Sequence, residues 1–170
     1  MAVSYSYMQA IGDSFTNVQC ICNGNANVYE NIVWLSGDDL PSKSTLDTVI
    51  LQKKKDLMWL EIQAERARRQ AGGVYIQSSN KWFHSDQTSR IQQLGLVMMG
   101  SNMPNNINWK TMDGSFVTMT PALALSIFNG AATLDMTAFA VAEQHRANMN
   151  LSSTPETYDY SGFWPAIYGA

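Results

Sequence analysis

The sequence predicts an α+β chain: a short β-rich start, one long helix, a small domain of two hairpins and two helices, and an extended aromatic arm. Three observations carry this. Short β-branched and aromatic runs split by turn clusters occur before residue 40, around 74–83 and around 106–119. The period turns helical over residues 41–71, and again from Thr120-Pro121 to about Asn150. The expected divisions are 1–40, 41–72, 73–150 and 151–170.

In the first division, "NVQCIC" alternates loosely, "NGNAN" is a turn cluster, and "VYENIVWLSG" is β-branched and aromatic until Gly37 breaks it. Strands and turns, not helix, are expected. Cys20 and Cys22 are expected on opposite faces of a strand, where a bridge would be strained, so both are read as reduced thiols.

Pro41 and the Ser42–Ser44 stretch mark a helix start and Gly72-Gly73 a stop, which predicts a helix of roughly 28 residues. Leu46, Ile50, Lys53, Leu57, Leu60, Ala64, Ala67 and Ala71 fall at alternating spacings of four and three, a heptad seam. Val49, Met58, Trp59 and Ile62 widen the apolar face, so the seam serves either an oligomeric coiled coil or packing on the chain's own domain.

"VYIQ" and "KWFH" around "SSN" predict a hairpin, with Val74, Ile76, Trp82 and His84 distributed over its two faces. Ser85 or Asp86 caps the next helix, whose apolar run is Ile91, Leu94, Val97 and Met98, and which ends at "GSNMPNN". "NINWKTM" and "SFVTM" form a second hairpin through Asp113-Gly114. Thr120 caps the last helix, with Pro121 at its first position and Gly130 as a bend or close crossing. The final segment carries Tyr158, Tyr160, Phe163, Trp164, Ile167 and Tyr168, too many aromatic and apolar residues for a disordered tail. It is expected to dock in grooves on its own body or, preferentially, on a neighbour.

Composition bounds the function. The chain has 170 residues, enough for one ordinary domain or a small head with helical and arm extensions. Charged residues are 15%, against roughly 25% in typical soluble domains, and the net charge is -3. Such a surface has little self-repulsion and suits a protein held permanently against partners, with a homo-oligomer expected. Lys53–Lys55 and Arg66, Arg68 and Arg69 share a predicted helix with Asp56, Glu61 and Glu65, so they read as a solvated face and nucleic-acid binding is not expected. The N-terminus lacks a basic and apolar leader, and the apolar stretches fall short of the ~20 residues of a span, so neither export nor membrane insertion is expected.

Candidate chemistry is sparse. His84-Ser85-Asp86 are consecutive, which denies a triad its geometry. Two His and two Cys fall in no metal-ligand spacing, no phosphate loop follows a strand, and no carboxylate pair shares a recognisable cleft. The expectation is a chain that is not an enzyme and has no cofactor.

"GGVYIQSSNKWFHSDQTSRIQQLGLVMMG", "INWKTMDGSFVTMTPALALSIFNGAATL" and "AEQHRANM" together resemble a domain family of unknown function that occurs in tail and tail-fibre-associated proteins of tailed bacteriophages. The resemblance covers residues 72–150, and "ENIVWLSGDDLPSKSTLDTVI" is similar to the linker and helix that often precede it. It implies scaffold roles for Trp109, Lys110, Asp113, Gly114 and Thr120. It also implies a virion component at the tail tip, baseplate or fibre attachment, with other tail, baseplate or fibre proteins as partners. The alternative it leaves is a tail-fibre assembly chaperone absent from finished particles.

Overall fold

A computed structural model of the chain describes residues 4–36 and 40–169; the Gly37 strand break lies outside them. The architecture is α+β. In chain order come α1 (Tyr7–Ser14), β1 (Gln19–Cys22), β2 (Ile32–Ser36), α2 (Lys43–Ala71), β3 (Val74–Ile76), β4 (Lys81–Phe83), α3 (Gln87–Met99), β5 (Asn108–Lys110), β6 (Phe116–Thr118) and α4 (Pro121–Asn150). The strands form three separate antiparallel pairs, β1 with β2, β3 with β4 and β5 with β6. The chain divides into two compact units, one from the described part of Met1–Glu61 with Arg146–Tyr160, the other from Ile62–His145 with the described part of Ser161–Ala170.

The first unit opens with a helix where strands were expected. Ser6 and Gln9 form a reciprocal capping box, the Ser6 N–H donating to Gln9 Oε1 at 2.8 Å and the Gln9 N–H to Ser6 Oγ at 3.3 Å. Tyr7, Ala10 and Ile11 then fall on one buried face. Tyr5, Ile32 and Leu46 join them in the core, with Ile50, Leu57 and Trp34 packed around it. The Tyr7 hydroxyl donates to Asp47, so burial and that carboxylate raise its pKa, while the Tyr7 hydrogen bond and then Lys43 hold Asp47 below the usual carboxylate range.

Strands β1 and β2 pair Cys20 with Trp34 and Cys22 with Ile32. Residues two apart on a strand share a face, so Cys20 and Cys22 lie half-buried on the same side, not on opposite sides. Both are free thiols, as expected. The start of α2 is capped by Ser42, whose Oγ accepts from the Thr45 N–H at 3.1 Å. In this unit the Lys55 ammonium donates to the Asn150 carbonyl at 2.7 Å, Lys54 pairs with Glu156 at 2.5 Å, and the Arg146 guanidinium stands 4.7 Å from the Trp59 ring centre.

The second unit is organised around Val74, Ile76, Phe83, Leu96, Met103, Met119, Ala124 and Ile127. In the β3–β4 hairpin Val74, Ile76 and Phe83 turn inward, while Tyr75 and Trp82 pair on the other face with ring centres 5.5 Å apart. Phe83, fully buried, contributes about 1.5–3 kcal/mol of apolar burial. Trp109 packs half-buried against this core.

The β5–β6 turn is tied by Asp113. Its Oδ1 accepts from Thr111 Oγ1 at 2.6 Å, Ser115 Oγ at 2.7 Å and the Ser115 N–H at 3.0 Å, and Oδ2 accepts from Lys81 on β4 at 2.6 Å. Gly114 takes φ of 83°, the left-handed conformation its side-chain-free backbone permits. Thr120 Oγ1 accepts from the Leu123 N–H at 3.1 Å and starts α4 with Pro121 first, as expected.

The inward face of α4 carries Ala124, Ile127, Ala131, Leu134, Ala138, Val141 and His145, alternating three and four residues apart. The heptad stripe that the chain buries most completely is thus this one. Gly130 lies against β3, since a Cβ there would stand 2.8 Å from Val74 Cγ2. The sequence-level expectation that apolar stretches fall well short of a membrane span does not hold for α4. By length and composition it reaches that range, with mean hydropathy of 1.3 over an 18-residue window, of which 28% is buried. The reason is that Ala, Thr and Ser dilute the run without charging it.

Candidate functional site

The second unit presents a groove of about 670 Å³ between its part of α2, α3 and α4. Ala67, Ala71, Ala131 and Ala132 line it together with the larger Ile91, Leu94 and Phe128. Helix α3 explains part of the apolar lining. Asp86 caps it through the Ser89 N–H at 3.0 Å, and from that start Gln93 and Leu96 face inward. Ile91, Leu94 and Met98 of the expected apolar run are left exposed, and only Val97 of that run packs on the core. The core takes Gln93 instead, because its amide donates to the His84 carbonyl at 2.8 Å and so enters satisfied.

Charge in the groove is internally compensated. Arg90 donates to Asp135, to the Ser85 carbonyl and, through Nη2 at 2.9 Å, to the Gln70 carbonyl; Gln70 donates to Asp135 at 3.0 Å. Ser85 is buried, its hydroxyl donating to the Gln70 carbonyl at 2.6 Å and accepting from the Gly73 N–H at 2.8 Å. His84-Ser85-Asp86 therefore acts as a joint between the end of α2, the start of β3 and the start of α3. Among the described residues no group of three or more His, Cys, Asp or Glu is placed to hold a metal ion.

The arm residues separate. Tyr158 and Tyr160 belong to the first unit and are half-buried. In the second unit Trp164 lies 5.4 Å from the buried His145 ring, whose Nε2 is 3.0 Å from the Gly162 carbonyl. Arg69 donates to the Pro165 carbonyl at 3.0 Å, and the Tyr168 N–H donates to the Gly72 carbonyl at 2.9 Å while its ring meets Trp82 at 6.2 Å. Ile167 packs where a Gly72 side chain would stand. Residues 161–168 thus dock on their own chain, with Phe163 left 82% exposed.

The α2 seam is divided likewise. Leu46 is fully buried, and Ile50 and Leu57 pack on the first unit's core. Leu60, Ala64 and Ala67 are exposed. Sequence reasoning missed the outward stripe of α4, Leu125, Phe128, Ala132, Met136 and Phe139, although its spacing of three, four, four and three was there to find. The Arg66 guanidinium, 5.7 Å from the Phe139 ring centre, covers one end of that stripe.

A family described as a domain of unknown function (DUF4376) matches residues 53–162, a longer segment than the 72–150 stretch on which the motif resemblance rests. No curated protein and no solved structure matches the chain.

Proposed function

We propose, for a chain that belongs to the DUF4376 family, the role of a structural component of a tailed-phage virion, placed at the tail tip, baseplate or fibre attachment and acting by protein–protein assembly. The phage setting rests on the motif set of residues 72–150. The assembly habit rests on one structural observation above others: the outward face of α4 is apolar and, from Pro121 to Leu134, carries no charged residue. Solvent-facing helix surfaces ordinarily carry charge, and an apolar face of this extent marks an interaction site.

The alternative is an assembly chaperone for tail fibres. It would hold its aromatic arm loosely for transient contact, whereas Trp164 and Ile167 are packed, which favours the permanent component. Peptide mass spectrometry of purified particles beside infected-cell lysate tests the choice. Stoichiometric presence in particles is expected; abundance in lysate with absence from particles would assign the chaperone role, and absence from both would end the phage reading.

A further inference from the structure

We infer that the α3–α4 face of the second unit is the docking surface for a second copy of this chain. The inference deepens the assembly reading and rests on it for the expectation that burial is permanent.

Extent is the first argument. On α3, Ile91 is 64% and Met98 80% exposed, with Leu94 between them. On α4, Met136 is 67% and Phe139 54% exposed, with Phe128 about two turns and Leu125 about three turns before Met136. Ile91, Leu94 and Phe128 line one groove, Met98 lies one turn from Leu94, and Met136 continues the Phe128–Ala132 line, so the patch is continuous. Seven such side chains at these exposures present roughly 600 Å² of apolar surface. That is at or above the ~300–600 Å² of the largest patch on a typical monomer. With the alanines of the groove added it approaches the ~800 Å² per partner of a standard interface.

Shape is the second argument. An interface between identical copies must be self-complementary, each surface supplying both what protrudes and what receives it. This face offers both: the large exposed side chains Phe128, Met136 and Phe139, and beside them a groove whose lining includes the small Ala67, Ala71 and Ala131. Small residues in the groove let a partner's helix approach closely, and the large ones fill the space.

Charge is the third. Burying the groove strands no ion, because Arg90 and Asp135 are already paired and Arg90 also satisfies two carbonyls, while Arg66 at one end of the face lies over the Phe139 ring. A lipid surface is the rival occupant, but the α3 and α4 stripes themselves carry no Lys or Arg, and the basic residues beside them are engaged, Arg90 by Asp135 and Arg66 by the Phe139 ring.

The test is sedimentation equilibrium of the full chain up to about 0.1 mM, with two double variants, Phe128→Lys with Met136→Lys and Phe128→Glu with Met136→Glu. The wild type should sediment at twice its chain mass. Each variant should self-associate on the order of a hundredfold more weakly, with melting unchanged at concentrations low enough for the wild type to be monomeric too, and mixing the two should restore a pair, which misfolded chains could not do. A monomeric wild type, or dimers that persist in both variants, would overturn the inference. So would flotation of a monomeric chain with phosphatidylcholine–phosphatidylglycerol vesicles. A monomeric chain that is nonetheless stoichiometric in particles would overturn this inference alone and leave the proposed function standing.

Discussion

Ser85 sits between two serviceable partners, the Gln70 carbonyl and the Gly73 N–H, and its burial makes both bonds consequential. Gly73 has φ of 99° and its amide has that hydroxyl as acceptor. Ser85→Ala would leave a buried donor unsatisfied, and the expected loss is about 1–3 kcal/mol of stability. Chemical denaturation measures it; a change under about 0.5 kcal/mol would mean that the joint is not structural. The residue's neighbours His84 and Asp86 invite a catalytic reading in sequence. Adjacency along the chain is visible there, whereas the directions of three hydroxyl, carbonyl and amide groups are not.

At the scale of elements, the arm and the helices show where pattern reading stops. The long α2 helix, both hairpins of the second unit, a cap for α3 at Ser85 or Asp86, the Thr120 cap and the Asp113-Gly114 turn were legible, because each is written in residues close together in the chain. Helix α1 was missed, although its capping pair, Ser6 and Gln9, lies three residues apart in the sequence. The arm's aromatic content marked it as a docking segment, while the identity of its dock required knowing that Gly72 leaves room for Ile167 and offers its carbonyl to Tyr168. Deleting residues 161–170 should therefore cost about 2–3 kcal/mol and lower the melting temperature by roughly 5–10 °C. Unchanged melting would show that these residues contribute nothing to their own unit.

For the whole molecule, acid should be the sensitive condition. The Tyr7 hydrogen bond and Lys43 lower the pKa of Asp47; hydrogen bonds from Ser89 lower that of Asp86. Lys81, Thr111 and Ser115 hold Asp113 far below the carboxylate range. Groups depressed in the folded state bind protons more readily when unfolded. Their stabilisation is complete above the unfolded value of about 4 and is lost as pH falls through the depressed values. Stability measured by denaturant titration should be level in this respect from neutrality to about pH 4 and fall below it, with Asp113→Asn flattening part of the fall. An acid limb unaffected by that substitution would remove Asp113 from the account.

The sequence by itself determined the low charge, the two long helices and the hairpins of the second unit, since these follow from local propensity and periodicity. Only the tertiary structure decided which apolar faces the chain covers. Two stripes on α4 differ by a rotation of one residue and are nearly equal in hydrophobicity, so periodicity cannot rank them. Packing does, because the small side chains of Ala124, Ala131 and Ala138 admit close neighbours on one stripe while Phe128, Met136 and Phe139 keep the other at the surface.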